Sequence, residues 1–370
     1  MTLTDIVSAL DTLAPFRNAA DWDNVGLLIG RSDAACSKAL LCIDLTTAVL
    51  DEAKAASVQA IVAYHPVLFE PRTNVCGDDP QGRLILDLIE AGIAVVSPHT
   101  ALDAAPGGMS EWLADGIGPG STAPIEPTLE LPAGEAVKLI TYVPRENVED
   151  VRAAIAAAGA GHIGDYDTCS TSIESIGTFR GGDTTNPAIC TRGSLEHVDE
   201  CRLMLVCSTA SLPAAVEALR KAHPYEEPPI HVVQLSKRPS AESGSGRVLT
   251  LNEPADTATI AARLKDHFGV DQLRMANASD GPHATVGCCP GSGGSLLSAA
   301  AAQGATLFVT GEMRHHDVLN ATAQGVSVLL AGHTNTERGY LPTLCDRLNK
   351  ACPSINCTVS HTDTTPWVTV

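Results

Sequence analysis

The chain has 370 residues, of which 44% are hydrophobic and 18% charged, and its formal net charge is −19. This length suffices for two or more domains, each with its own core. Because the charge is strongly acidic and no Lys/Arg cluster stands out, phosphate-based binding to nucleic acid or to an anionic membrane surface is not expected. No stretch approaches the roughly 18 consecutive apolar residues of a membrane-spanning helix. The composition therefore indicates a globular protein without a membrane or nucleic-acid partner.

The cysteines and the N-terminus indicate a cytoplasmic protein. Twelve cysteines are scattered through the chain, and no C-x-x-C motif occurs. Buried reduced thiols are therefore expected, rather than a disulfide scaffold or a cysteine-based zinc site. The adjacent Cys288 and Cys289 are interpreted as packing residues, since no neighbouring group activates a thiolate. The first residues form a helix pattern and lack the basic and apolar regions of a secretory signal.

The first part of the chain alternates between helix and strand patterns. The elements are predicted at residues 4–13 (helix), 39–44 (strand), 47–56 (helix), 60–64 (strand), 82–91 (helix) and 93–96 (strand), with a further helix from Met109. Such alternation is typical of an open α/β sheet, in which ligands bind beyond the carboxyl ends of the strands.

From about Leu129 the pattern changes to a β-α-β-β-α-β order, which is typical of a ferredoxin-like domain. Its elements are predicted at residues 136–144 (strand), 148–158 (helix), 163–175 (hairpin), 201–207 (strand), 212–222 (helix) and 231–235 (strand). Residues 236–245 are rich in Pro, Gly and Ser and predict an exit linker. The α/β pattern then resumes. We therefore predict an α/β core built from residues 1–128 and 246–370, interrupted by an inserted ferredoxin-like domain at residues 129–240.

Four side chains suited to metal binding come just after buried strands: His65, Asp103, His333 and Glu337. Two imidazoles and two carboxylates suit Zn, Fe or Mn, and carboxylates can bridge two ions. Each residue also has a simpler explanation. His65 could be a hydrogen-bonded turn residue and Asp103 a helix cap, while Thr334 and Glu337 fit a capping box. Because all four stand at the same ends of strands, a metal centre is the favoured hypothesis.

Further polar residues occupy comparable positions and could orient ligands or substrate: His99, Thr100, Glu312, His315 and His316. The alternative for His315 and His316 is a solvent-exposed helix face.

The glycine-rich loop at residues 291–295 offers backbone amides at a helix start, where a phosphate could bind. It lacks the P-loop lysine and the dinucleotide fingerprint, so a tight strand-to-helix turn is at least as good an interpretation.

Several short motifs together resemble the NIF-three-like dinuclear metal-centre family, whose members are often labelled GTP cyclohydrolase I type 2 homologues. The matching stretches are residues 22–27 (WDNVGL), 64–66 (YHP), 98–103 (PHTALD) with Gly107 and Gly108, 310–317, and 332–337. They run from near the start to near the end of the chain. Residues 223–228 (HPYEEP) resemble the PII-like (CutA-like) domain inserted in longer members.

The resemblance implies a three-layer α/β core in which His65, Asp103, His333 and Glu337 bind metal, with Asp103 and Glu337 as bridges. Two divalent ions per chain are therefore expected, as Zn, Fe or Mn. Tyr64 stands where many bacterial members have a histidine. A phenol, with an unperturbed pKa of about 10, is a poorer ligand, so the second ion is expected to bind more weakly. The resemblance also implies a homohexameric ring.

The functional hypothesis that follows is metal-assisted hydrolysis of a small molecule, a nucleotide or a phosphoester, with His99 or His316 moving protons. The family label implies GTP. The alternative is a ring-shaped metal-binding or regulatory protein without turnover.

Overall fold

The computed structural model describes residues 1–132, 134–185 and 193–367. The chain forms two compact units, one made of Met1–Thr128 together with the residues from Ser240 onward, and the other of Leu129–Pro239. Both mix helices with strands. None of the helices in the described part of the chain is long and apolar enough to cross a membrane.

The first unit begins with ten elements: α1 (Leu3–Leu13), β1 (Gly26–Ile29), β2 (Lys38–Cys42), α2 (Thr47–Ala55), β3 (Ala60–Ala63), α3 (Pro80–Glu90), β4 (Ala94–Ser97), α4 (His99–Ala104), α5 (Met109–Ile117) and β5 (Gly120–Glu130). The second unit contains β6 (Val137–Pro144), α6 (Val148–Ala157), β7 (Ser170–Phe179), β8 (Glu196–Cys207), α7 (Leu212–Ala222) and β9 (Ile230–Gln234). The first unit then continues with β10 (Arg238–Ala255), α8 (Thr257–Phe268), β11 (Arg274–Ala276), β12 (His283–Cys289), α9 (Leu297–Ala302), β13 (Leu307–Thr310), α10 (His315–Ala323), β14 (Ser327–Leu330), α11 (Leu341–Ala351) and β15 (Asn356–Val359).

One sheet of the first unit has the strand order β1-β4-β3-β2-β15, in which only β1 runs antiparallel to its neighbour. Leu41 and Val62 face a core shared with α1 and α11, whereas Leu40 and Ile61 face a core shared with α2 and α3. Helices thus cover both faces of the sheet. This explains why its strands are continuous apolar runs rather than alternating patterns.

A second sheet has the order β11-β14-β13-β12-β10-β5, with β12, β13 and β14 parallel. Val309 and Leu329 pack on the side of α5 and α8, and Phe308 and Val328 pack on the side of α9 and α10. The three-layer α/β architecture implied by the resemblance is therefore present. The strand series, however, is divided between two sheets rather than joined in one open sheet, and β15 returns to the first of them. Alternation of elements along the chain cannot reveal this division, because it carries no information on strand order.

The second unit has four antiparallel strands in the order β7-β8-β6-β9, packed on α6 and α7. The hairpin predicted at residues 163–175 is shifted in the structure. Only an isolated bridge joins Ile163 to Tyr166, and β7 pairs instead with β8 over ten residue pairs.

The predicted exit linker at residues 236–245 contains the boundary between the two units, at Pro239 and Ser240, but it is not a loop over most of its length, because β10 begins at Arg238. Its small residues have a packing role. Gly244 has a φ of +156°, and a Cβ there would lie 2.3 Å from the carbonyl oxygen of Glu126 in β5. Close approach of two strands, rather than chain flexibility, therefore accounts for this glycine.

Arg247 of β10 is fully buried and joins the two chain ends that build the first unit. Its guanidinium donates to the carbonyl oxygens of Gly244 and Gly246, at 2.7 and 2.8 Å, and to that of Ala105, at 3.2 Å. Its Nε also pairs with Oε1 of Glu111 at 3.2 Å. The N–H groups of the planar guanidinium thus donate simultaneously to carbonyl groups at the end of α4 and along β10.

We expect Arg247→Lys to lower the free energy of unfolding of the first unit by about 2–5 kcal/mol, because one ammonium cannot reach all these acceptors and leaves buried carbonyls unpaired. Urea unfolding followed by tryptophan fluorescence measures this unit, since Trp22, Trp112 and Trp367 all belong to it. The matched control is Arg274→Lys on the exposed edge strand β11, for which a change within about 0.5 kcal/mol is expected. Equal effects of the two substitutions would contradict the structural role of Arg247.

Candidate metal centre

The four predicted metal ligands are supplied by both sheets of the first unit. His65 follows β3 and Asp103 lies on α4 after β4, whereas His333 and Glu337 follow β14. All four line one cavity of about 610 Å³. The strand ends of the two sheets therefore meet at a common site. The sequence had predicted this site at the edge of a single open sheet.

A buried carboxylate forms the floor of this site. Glu337 is only 1% exposed, and its Oε1 lies 3.3 Å from Nε2 of His333, while its Oε2 lies 3.7 Å from Nε2 of His65. One ligand atom from each of the three residues lies within 4.8 Å of the others. Oε2 of Glu337 is buried without a hydrogen-bond partner. An unpartnered buried carboxylate oxygen is costly, and a cation bound beside it would remove that cost.

Carboxylates fix the orientation of both imidazoles. Nδ1 of His65 lies 2.8 Å from Oδ1 of Asp44, and Nδ1 of His333 lies 2.9 Å from Oε1 of Glu312. With Nδ1 held in this way, Nε2 of each ring is directed to Glu337. Metal-ligating histidines usually have this arrangement, in which an outer carboxylate sets the tautomer. The donor set of two imidazole nitrogens and one carboxylate therefore fits a divalent transition-metal ion.

The charges around His65 keep it protonated when no metal is bound. Burial acts to lower the pKa of His65, but the hydrogen bond to Asp44 and the neighbouring Glu337 carboxylate outweigh it and raise this pKa to about 10. A cation is thus favoured at the position between His65 and Glu337, whether it is a proton or a metal ion.

Asp103 lines the same cavity but lies outside the three-residue cluster. Burial raises the pKa of Asp103 to about 6, although the hydrogen bond from Tyr64 works in the opposite direction. The Tyr64 hydroxyl donates to Oδ1 of Asp103 at 2.6 Å. Burial, together with the Asp103 charge, also raises the pKa of Tyr64 well above its ordinary value. Tyr64 is therefore a hydrogen-bond donor to a candidate ligand and not an anionic ligand itself.

His99 is a third histidine held by a carboxylate at this cavity. Its Nδ1 lies 2.7 Å from Oδ1 of Asp23. The other oxygen of Asp23, Oδ2, accepts the backbone N–H and the hydroxyl of Thr100. His99 has a φ of +25°, which is unusual for a residue other than glycine. Such backbone strain is found preferentially at functional sites, where the surroundings enforce it. His99 and Thr100 therefore line the same cavity as the candidate ligands.

The two histidines that begin α10 are not brought to this cavity. His315 and His316 are exposed, their rings are 5.4 Å apart, and neither lines the cavity. Glu312, just before them, does reach the site through its contact with His333.

The glycine-rich loop acts as a tight turn that leaves room for the candidate ligands. The amides of Gly291 and Gly293 donate to the hydroxyls of Thr336 and Thr310, each at 2.9 Å, so they are not directed at a ligand. Gly291 has a φ of +61°, and a Cβ there would lie 2.8 Å from Oε1 of Glu337. The turn interpretation is thus the one that the structure supports.

The capping-box interpretation of Glu337 is wrong. A capping box at Thr334 requires a helix that starts there, but α11 begins only at Leu341, and residues 334–336 and 338–340 form two 3₁₀ turns. Glu337 lies between them with φ −128° and ψ −49°, and its side chain turns to the histidines instead of a backbone amide. The extra turns let the carboxylate point into the site.

Two carboxylates of the site, Asp44 and Asp23, were not among the predicted site residues. Asp44 comes one residue after the buried Ile43, at the end of β2, and accepts from His65. Its position just past a buried strand is the same signal that identified His65 and Asp103. Asp23 lies in the WDNVGL motif, but no periodicity or spacing relates it to His99, 76 residues away.

Fold and site define an α/β protein with a candidate metal site of two histidines and one glutamate. The family described as Duf34/NIF3 (NGG1p interacting factor 3) matches residues 1–366. The chain therefore belongs to the DUF34/NIF3 family, as its motifs predicted.

Individual relatives agree with this assignment. The chain is 34% identical over 365 residues to a GTP cyclohydrolase 1 type 2 homolog of Bacillus subtilis, with 98% of this chain and 97% of the relative covered. It is 33% identical over 372 residues to NIF3-like protein 1 of Rattus norvegicus, with 99% and 92% covered. The solved structure of a Bacillus cereus protein related to NIF3 has a TM-score of 0.76 and 29% identity, with 100% of this chain and 99% of that chain covered. Staphylococcus aureus protein SA1388 has a TM-score of 0.80 and 26% identity, with the same coverage.

We expect Gly291→Ala to weaken Zn²⁺ binding at least about tenfold, because its Cβ would displace Glu337 and His333 from their positions. Competition with a chromophoric chelator measures the affinity. Gly304→Ala is the matched control: Gly304 has a φ of +90°, but nothing lies within 4 Å of its added Cβ. Both substitutions place alanine at a positive φ, which costs a similar free energy of about 1 kcal/mol. A difference in metal affinity between the two variants therefore reports the contact of the added Cβ with Glu337. Equal affinities would show that the loop does not shape the metal site.

We also expect Zn²⁺ binding to release about one proton at neutral pH, because the ion must displace the proton held by His65, whose pKa is raised to about 10. Since His65 is protonated below that pKa, affinity should rise about tenfold per pH unit from about pH 6.5 to about pH 8.5. Calorimetry in buffers of different ionisation enthalpy counts the released protons. In His65→Gln the affinity should fall and the release should drop toward zero; unchanged release in this variant would exclude His65 as its source.

Proposed function

We propose that this protein is a metal-dependent hydrolase of a small molecule. The observation that carries the proposal is Oε2 of Glu337, a buried carboxylate oxygen without a partner that faces Nε2 of His65. His65, His333 and Glu337 would hold one divalent ion, as Zn, Fe or Mn. When bound, such an ion polarises a substrate oxygen and lowers the pKa of a water molecule to near neutrality.

His99 is the residue we propose for proton transfer. Its Nδ1 is engaged by Asp23, and its Nε2 makes no hydrogen bond within the described part of the chain. A neutral imidazole held in this tautomer can take a proton from an attacking water on Nε2, and the Asp23 carboxylate stabilises the imidazolium that results. His316 was predicted for the same role, and its position on α10 offers no path to the cavity within one chain.

The substrate that we propose is a nucleotide or a phosphoester. The Bacillus subtilis relative is named a GTP cyclohydrolase 1 type 2 homolog, and the cavity of about 610 Å³ is large enough for a ligand of nucleotide size. Trp22 and Phe69 line the cavity while 63% and 48% exposed, with their ring centroids 5.9 Å apart. Exposed aromatic rings beside a polar site are suited to stacking on a planar group.

The proposal includes a second ion held by Asp103, with Glu337 as a bridge. We expect this ion to bind more weakly, because the Tyr64 hydroxyl already occupies Oδ1 of Asp103. We also propose a homohexameric ring and a cytoplasmic protein. The β-α-β-β-α-β order and the antiparallel sheet of Leu129–Pro239 support a ferredoxin-like, PII-like domain inserted into the metal-binding core.

The second candidate function is a ring-shaped metal-binding or regulatory protein without turnover. The hydrogen bond between Tyr64 and Asp103 favours this candidate, because it engages an oxygen that a second ion would require. In hydrolases with two ions, the pair of ions stabilises both the attacking and the leaving oxygen. A site with a single ion can bind metal tightly but lacks this arrangement.

Elemental analysis of the protein purified without chelators, followed by a screen for nucleotide and phosphoester hydrolysis, tests the proposal. We expect about one to two ions per chain, lost in His333→Ala because two ligands cannot hold the ion as three do. We expect activity to fall at least about 100-fold in Asp103→Ala and His99→Gln, with the fold intact by circular dichroism.

The control for the general effect of losing a histidine is His197→Ala, an exposed residue of β8. Full metal content with no turnover of any substrate in the wild type would favour the binding protein. A metal-free wild type, even after reconstitution, would contradict both candidates.

A further inference from the structure

The second unit contains a cavity of its own, formed entirely within Leu129–Pro239. Its volume is about 470 Å³, and it lies between the end of β7, the start of β8 and the HPYEEP segment at residues 223–228. The residues that give it its chemistry are Tyr142, Phe179, Arg180, Glu200, Tyr225 and Glu227. The chemistry of the metal centre uses none of them.

The wall of this cavity contains a buried carboxylate, and one of its oxygens accepts no hydrogen bond from the described residues. Glu200 is only 8% exposed, and its Oε1 accepts the hydroxyl of Tyr225 at 2.6 Å. Its Oε2 receives no hydrogen bond from any residue in the ranges the structure describes. Gly177 lies opposite on β7, where a Cβ would come within 2.1 Å of that Oε2. The glycine therefore leaves the space that this oxygen occupies.

The aromatic part of the cavity is held rigidly. Nδ1 of the buried His223 accepts the backbone N–H of Tyr225 at 3.1 Å, and Nε2 donates to the carbonyl oxygen of Tyr142 at 2.9 Å. Burial lowers the pKa of His223, which keeps the ring neutral, as these two hydrogen bonds require. The ring of Tyr225 lies 4.9 Å from that of His223 and 6.1 Å from that of Phe179, measured between centroids. The π faces and the carboxylate are thus fixed relative to each other before any ligand arrives.

We propose that this cavity binds an organic cation, a primary amine or a guanidinium with an apolar chain. An N–H donor of such a ligand would satisfy Oε2 of Glu200, and its positive charge would lie against the rings of Phe179 and Tyr225. Glu200 and Glu227 contribute negative charge to the lining, which also contains Arg180. Part of the Glu227 charge is balanced by Arg220, whose Nη1 lies 3.6 Å from Oε2 of Glu227. The buried carboxylate and the rings therefore define the binding position.

A bare metal ion fits this cavity less well. In the described part of the second unit, no group of three metal-ligating side chains comes together. One oxygen of Glu200 is already engaged by a neutral phenol, because burial and that hydrogen bond raise the pKa of Tyr225 above its ordinary range. Hard cations need several converging oxygen ligands, whereas Tyr142, Phe179 and Tyr225 contribute aromatic rings to this lining.

Calorimetric titration of the full-length protein with agmatine, which carries both a guanidinium and an ammonium, tests the proposal. We expect saturable binding with a Kd of about 0.1–1 mM. Glu200→Gln should weaken it at least about tenfold, because the amide keeps the shape and the acceptor for Tyr225 but loses the charge. Glu149→Gln, at an exposed position of α6 outside the cavity, is the matched control and should bind as the wild type does.

A second pair of measurements keeps the test decisive if Glu200→Gln does not fold. Phe179→Leu retains apolar volume but removes a π face, and should weaken agmatine binding about threefold to tenfold. Butylurea, an uncharged analogue, should show no saturable binding over the same concentration range. The proposal is overturned if agmatine shows no saturable binding to the wild type, or if butylurea binds as tightly as agmatine. It is also overturned if folded Glu200→Gln or folded Phe179→Leu binds agmatine as tightly as Glu149→Gln does.

Discussion

The buried carboxylate of Glu337 is the constraint on which the rest of the candidate metal centre depends. A carboxylate removed from water must be neutralised or solvated by fixed groups, and Glu337 has two imidazoles beside it and one unpartnered oxygen. The surrounding chain is arranged to permit this. Gly291 leaves space above Oε1, and Thr336 holds the Gly291 amide away from the carboxylate. The two 3₁₀ turns replace a regular helix start, which would have directed Glu337 to backbone amides.

The same unit also explains how a segment of more than a hundred residues can interrupt it. The chain leaves the first unit along β5 and returns along β10, and these two strands are neighbours in one sheet. Because the exit and return points are adjacent in the sheet, an inserted domain does not separate the elements that build the metal centre. Arg247 on β10 then ties the returning chain to α4 and α5, so that the ligands from residues 65–103 and from residues 333–337 face one another.

The sequence predicted the α/β class, and it predicted residues that the structure brings to one cavity, but it did not predict how the strands are divided between sheets. His65 and His333 come soon after buried strands and Asp103 lies on the short helix after one, so each could be recognised as a candidate from a pattern that is local to its strand end. The division of the strands between two sheets depends on contacts between residues that are distant in sequence. The pairing of β10 with β5 does too, and the Gly/Ser-rich composition of residues 236–245 predicted a linker there instead of a strand. Asp23 and Asp44 were not predicted as site residues for a related reason. A carboxylate that orients a histidine is defined by its distance to that ring in space, and not by any spacing along the chain.

Three histidines at the cavity share one arrangement and differ only in what their second nitrogen faces. His65, His99 and His333 each present Nδ1 to a carboxylate, supplied by Asp44, Asp23 and Glu312 respectively. In His65 and His333 the freed Nε2 meets Glu337, which makes a position for a cation. His99 lines the same cavity, and its Nε2 makes no hydrogen bond within the described part of the chain. Glu337 therefore groups two of the three similarly held imidazoles into the candidate metal site, and His99 lies outside that group.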